Sequence, residues 1–156
     1  MSDKITLAPN PENQCFGCGG ANGAGMKLTF EQDNARRRIT GRFVLGETYQ
    51  GGGGMAHGGI IALLLDEAMG KVCRFRDARA VTAELNVEYL KPVKVDEEIL
   101  VEGFEAEEPK GRNLFLAAEI RDSAGDVVLA RGRGRFVVVG ERQRALGQAV
   151  SQEFKQ

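Results

Sequence analysis

Apolar residues crowd into one nearly continuous block in the middle of the chain and then alternate with polar ones through most of the remaining length. From Gly59 to Cys73, the residues Ile60, Ile61, Leu63, Leu64, Leu65, Ala68, Met69 and Val72 reach nearly every side of a helix. A helix apolar on all sides is a buried one. Four strands are predicted after it, over 80–90, 97–107, 112–122 and 126–139. In the first, Val81, Ala83, Leu85, Val87 and Tyr89 point one way and Thr82, Glu84, Asn86 and Glu88 the other. The turn signals "KPVKVD", "EPKG" and "SAGD" separate the four. Before the block, 26–32 and 37–45 read as a hairpin turning at residues 33–35. Strands segregated around one buried helix predict an α+β fold, an antiparallel sheet wrapped on that helix.

No internal repeat or Pro/Ser-rich linker divides the 156 residues, which suit one domain. Residues 1–12 read as a polar arm, 13–140 as the folded domain, and 141–156 as a tail or short helix with Leu146, Val150 and Phe154 on one side. The 21 basic and 22 acidic residues nearly cancel. No global field draws the chain to nucleic acid or an anionic membrane. The run "IIALLL" is far too short to span a bilayer, and "MSDKITLAPN" has no apolar signal region, so a cytoplasmic protein is expected. Three cysteines make no disulfide framework and fit a reducing compartment.

The candidate chemistry gathers where the chain changes character. Six of the eleven residues in 49–59 are glycine, and the stretch holds the only histidine, His57. A Ser-His-Asp site lacks its G-x-S-x-G elbow, and Cys73 lies over four helical turns from His57, too far for a Cys-His pair within one chain. Cys15 and Cys18 form a C-x-x-C, half of a zinc site. Cys73 and His57 are the only other soft ligands, and neither lies in a short paired motif, so two reduced thiols in a tight turn are expected, with no metal and no cofactor. The glycines match neither a P-loop nor a dinucleotide fingerprint.

Two readings of the glycine stretch remain. One is a flexible linker into the helix. In the other, Gly58 and Gly59 open the helix, where N–H groups lack intrahelical partners and suit a developing oxyanion. Asp66 lies nine positions after His57, half a turn out of phase and about 13 Å along the axis. The two meet only if two copies of the helix pack antiparallel. A carboxylate in an apolar helix needs a partner, a hydrogen bond or a proton. Asp66 is thus either a structural acid or a working one, with Glu67 as the alternative.

These residues resemble the signature of hotdog-fold acyl-CoA thioesterases of the PaaI-like and human thioesterase-superfamily type, the 4HBT superfamily. "HGGIIALLLDEAMG" resembles their H-G-G followed by an acid nine positions after the His. "TAELNVEYLKPV" (82–93) is similar to the family strand after the helix, and "NQCFGCGGANGAGMKLTF" (13–30) to the N-terminal segment of a subset. The resemblance implies a homodimer or dimer of dimers with active sites shared between subunits. It implies a Gly58 N–H, with Gly59 beside it, polarising the thioester carbonyl, and His57 bracing the loop or the carbonyl. Asp66 from the other subunit would be general base or nucleophile, and Thr82 would help hold the water. Thr82 shares the polar face of its predicted strand with Glu84 and Glu88, which is awkward for that role.

Gln50 is the nearest side-chain amide for the carbonyl, and Gly52 and Gly53 stand where the family often has bulky or Pro residues. Lys110, Gly111 and Arg112 fall in a turn that often meets the CoA phosphates. For Arg131, Arg133 and Arg135, pairing with Glu84 and Glu88 across the strands competes with a CoA-binding role. The expected activity is hydrolysis of acyl-CoA thioesters, with neither nucleic acid nor membrane as partner. The alternatives are a non-catalytic acyl-CoA binder or sensor on the same fold and, in a different motif order, a hydratase.

Overall fold

The structure, a computed structural model, describes residues 3–143. One long helix, α1 (Gly58–Val72), lies against a seven-stranded antiparallel sheet. The strands are β1 (Lys4–Leu7), β2 (Phe30–Asp33), β3 (Arg38–Val44), β4 (Ala78–Tyr89), β5 (Glu98–Lys110), β6 (Asn113–Asp122) and β7 (Val128–Glu141). Their spatial order is β1-β2-β3-β5-β6-β7-β4, so β1 and β4 are the edges. The helix and the four strands after it appear where the hydrophobic pattern placed them, within a few residues. The arm does not stay an arm: Lys4–Leu7 pairs with Phe30–Asp33 as an edge strand. The first hairpin also differs. Its strand begins at Phe30 rather than Met26, and its turn extends to Arg37, which has φ +51°. Of the expected tail helix, residues 144–156 lie outside the described residues.

The core forms where α1 crosses β3, β4, β5, β6 and β7. Leu64, Leu65, Ala68, Met69 and Val72 are fully buried there. The "RGRGR" stretch of β7 shows why a helix can come so close. Gly132 and Gly134 face it, and a Cβ on Gly132 would meet Leu65 Cβ at 3.3 Å. The arginines that alternate with them, Arg131, Arg133 and Arg135, point outward, and Arg135 pairs with Glu84 at 3.6 Å. Among the described residues no helix is long and apolar enough to cross a membrane.

Strict alternation fails in β4 for a local reason. Thr82 pairs with Phe136, and Glu84 with Arg135, so Ala83 is an extra residue in a bulge. One extra residue reverses the facing of everything before it. Thr82 therefore lies opposite the core residue Phe136 and turns toward α1. Val81, expected inside with Leu85, is instead 53% exposed.

Candidate active site

Helix α1 has two unlike faces. The side away from the sheet carries Gly59 and Gly70, both exposed, with Leu63, Asp66 and Glu67 half-buried between them. Asp66 reaches toward the edge strand, where the bulge has turned Thr82 inward. The Thr82 Oγ1–H donates to Asp66 Oδ1 at 2.7 Å. Burial pushes the Asp66 carboxyl above its ordinary value, the Thr82 hydrogen bond pulls it back in part, and the Glu67 charge adds to the rise. No ion pair to Asp66 is present among the described residues. An acid held in one orientation, partly dry and without an ion-pair partner, is suited to accept a proton.

Asp66, Glu67 and Thr82 line a cleft of about 500 Å³ between the open side of α1 and β4. Its remaining wall includes Cys18 and the basic residues Lys71, Arg74, Arg79 and Arg142. Sequence reasoning missed these cations. They come from separate parts of the chain, and only the fold gathers them.

The start of α1 forms a second centre, about 12 Å along the axis from Asp66. His57 is its N-cap, with φ −61° and ψ 136°. The Gly59 N–H donates to His57 Nδ1 at 2.9 Å. This corrects the expectation that both glycine N–H groups face a ligand: Gly59 spends its donor on the cap. Gly58 N–H makes no hydrogen bond among the described residues. The His57 side chain, expected to brace the loop or the carbonyl, is tied through Nδ1 to the first turn of the helix. Tyr89, at the far end of β4, was not foreseen. Its hydroxyl donates to the Gly58 carbonyl at 2.8 Å and so fixes the same peptide segment. A large aromatic ending an alternating strand, 55% exposed, is the only signal that could have marked it.

The other expected site residues are not brought to Asp66. Gln50 is exposed, in a bridge with Ala56, and its backbone N–H closes a turn onto the Glu47 carbonyl at 3.0 Å. Lys110, Gly111 and Arg112 form the exposed tip of the β5–β6 hairpin, with Gly111 at φ +59°. Asn113 pairs with Val137, and Val137 with Val81, so this tip lies at the same end of the sheet as Thr82 but about two strand spacings, roughly 10 Å, away. None of the three lines the cleft.

Glu67 faces a different neighbour. The Cys15 Sγ–H donates to Glu67 Oε1 at 3.4 Å, and Lys71 Nζ lies 3.8 Å from Glu67 Oε2. Burial pushes the Cys18 thiol up to about 12, against the pull of Lys71 and with the help of Glu67. The expectation of two thiols in a tight turn holds as to the turn, since Gly19 N–H donates to the Cys15 carbonyl at 2.8 Å. What the sequence did not show is the carboxylate beside them.

Comparison with known proteins relates this fold to a family. The sequence profile of the thioesterase superfamily matches residues 53–129. The acyl-coenzyme A thioesterase THEM4 of Rattus norvegicus is 32% identical over 115 residues, 74% of this chain and 49% of that protein. Human acyl-coenzyme A thioesterase 13 is 30% identical over 83 residues, 51% of this chain and 58% of that protein. The chain thus spans about half the length of the curated relatives it matches. Among solved structures, a thioesterase superfamily protein superposes with a TM-score of 0.73 at 28% identity, over 80% of this chain and 60% of that one. The E. coli PaaI protein superposes with a TM-score of 0.62 at 18% identity, over 68% of this chain and 75% of that one, and so shares the fold. The span that carries His57, Gly58, Asp66 and Thr82 is a thioesterase superfamily domain with the hotdog fold.

Proposed function

We propose that this protein hydrolyses acyl-CoA thioesters at sites shared by two copies of the chain. The observation that carries the reading is the Asp66–Thr82 pair at 2.7 Å, aimed into an open cleft beside a helix whose only free N-terminal glycine donor is a full two turns away. One chain cannot hold a carbonyl at Gly58 and a water at Asp66 at once. A two-fold axis across the open face of α1 would bring the partner subunit's Asp66 to the Gly58 N–H. Gly59, Leu63, Asp66 and Gly70 recur there at helical spacing, with small residues at both ends to allow close approach. The outer edge of β4, unpaired among the described residues and twelve residues long with Val81 and Tyr89 exposed, gives the same axis a second contact.

In this assembly the Gly58 N–H polarises the thioester carbonyl. The Asp66 carboxylate takes a proton from water as the water oxygen bonds to the carbonyl carbon. The displaced electron pair rests on the carbonyl oxygen at Gly58 and returns as the carbon–sulfur bond breaks. The CoA sulfur leaves with the proton that Asp66 had taken. In the nucleophilic variant Asp66 attacks directly and water opens the anhydride; a single turnover in heavy-oxygen water labels Asp66 only on that route. Thr82 holds the carboxylate in line, His57 and Tyr89 hold the Gly58 segment, and Glu67 stands beside the reacting acid. Gln50 at the loop, and Lys110 and Arg112 at the hairpin tip, are exposed for contact with the pantetheine and the phosphates at the rim. The names of the curated relatives support the substrate class.

The test is thiol release from short, medium, long and aromatic acyl-CoAs by wild type and Asp66→Asn. Turnover that disappears in the variant supports the proposal. Equal turnover from both refutes the role of Asp66, and tight binding without turnover by wild type favours the non-catalytic acyl-CoA binder.

A further inference from the structure

Between Leu7 and Phe30 the chain forms no helix and no named strand, yet it takes a defined path over α1. Its backbone is tied to itself: Met26 N–H donates to the Phe16 carbonyl at 2.8 Å and Leu28 N–H to the Gly17 carbonyl at 2.9 Å. At the point where it touches the helix, Gly17 lies so close to Glu67 that a Cβ would stand 2.5 Å from its carboxyl carbon. On either side of this contact are Cys15 and Cys18. Their two Sγ atoms and a Glu67 carboxylate oxygen all lie within 4.8 Å of one another.

From this juxtaposition we propose that Cys15, Cys18 and Glu67 bind a zinc-class divalent cation that clasps the N-terminal segment to the central helix. Two thiolates from one tight C-x-x-C turn are a zinc half-site, and a carboxylate is an accepted third ligand. With Zn–S about 2.3 Å and Zn–O about 2.0–2.2 Å, a tetrahedral site separates S and O ligands by about 3.5 Å. The Cys15 Sγ to Glu67 Oε1 distance of 3.4 Å already has that value. The two oxygens of Glu67 divide the work, because Oε2 faces Lys71. Charge also balances. Two thiolates and one carboxylate carry three negative charges, and the divalent ion with Lys71 carries three positive ones. Binding releases the two thiol protons to solvent. Cys18 and Glu67 line the cleft, so the fourth position opens onto it and is filled by water.

The ion anchors a segment 52 residues away in sequence to the helix that carries Asp66. This inference is independent of the thioesterase reading, and its test does not use activity. The full chain, reduced and stripped with chelator, is titrated with cobalt(II) and then zinc. The expected result is one equivalent of cobalt with a thiolate-to-cobalt charge-transfer band, displaced by one equivalent of zinc. Zinc should raise the melting temperature of wild type and not that of Cys18→Ser. Cys15→Ser and Cys18→Ser should each abolish the band, and Glu67→Gln should weaken binding by at least the roughly 10–100-fold lost on removing an outer-shell partner. A band that survives Cys15→Ser, or no saturable band in the fully reduced wild type, overturns the site. So does a chain whose only thiol chemistry is a Cys15–Cys18 disulfide, read by mass.

Discussion

Two acids in this molecule have opposite surroundings. Glu105, on β5, lies against two guanidiniums, with Arg76 Nε at 2.7 Å and Arg37 at 2.9 Å. Burial works to raise its carboxyl, but the Arg76 hydrogen bonds and the Arg37 charge outweigh it and hold it below the usual range. Asp66 has a comparable hydrogen bond and, among the described residues, no ion-pair partner, and burial holds it above the usual range. Glu105 is compensated where it stands and contributes to the fold. Asp66 makes no direct ion pair among the described residues and lines a cleft wide enough for a ligand. That is the expected difference between a structural acid and one kept for proton transfer.

The contrast is broken most severely by Asp66→Asn. Turnover should fall about 10²–10⁴-fold, the range for a lost general base, while the melting temperature holds, since no ion pair is lost. Gly58→Pro should come next. Gly58 is the first helical residue, where proline is well tolerated, and His57 at ψ 136° already has the extended backbone that precedes proline. The change removes the N–H with little cost to the helix, and kcat should fall about 10²–10³-fold. Thr82→Val should lower kcat roughly tenfold through a looser Asp66, with KM little changed, a smaller loss because Thr82 acts only through the acid. The smallest effect belongs to Glu105→Gln. Glu105 has a lowered folded-state value, so its stabilising contribution is present above the unfolded-state carboxylate value near 4.3 and lost as pH falls through the lower folded one. The variant should melt lower at neutral pH by under about 1 kcal/mol of stability, approach wild type in acid, and keep full turnover. A Glu105→Gln variant that lost turnover, or an Asp66→Asn variant that unfolded, would erase the distinction.

The sequence carried the helix plainly, because an apolar block of that length has few other homes. By spacing within that one element it placed Gly58 at the helix start and Asp66 about two turns on, where the structure has them. It misled at Val81 and Thr82, since a bulge at Ala83 is a backbone event that strict alternation does not encode. The strand Lys4–Leu7 was hidden for another reason: as an exposed edge of four residues it buries too little to show a pattern. The meeting of Cys15 with Glu67, and of Lys71 with Arg142 in one cleft, joins distant parts of the chain. Each residue there looks ordinary alone, and only tertiary packing makes them a group.

The central claim is a site made by Gly58 of one copy and Asp66 of the other. Mixing Gly58→Pro with Asp66→Asn under conditions that let subunits exchange tests it directly. Random reassortment makes about half of the dimers mixed, each with one intact site of two, so activity should recover to about a quarter of wild type from two nearly inactive parents. If the mixture stays as inactive as its parents while exchange is shown to be complete, the two residues do not share a site across subunits.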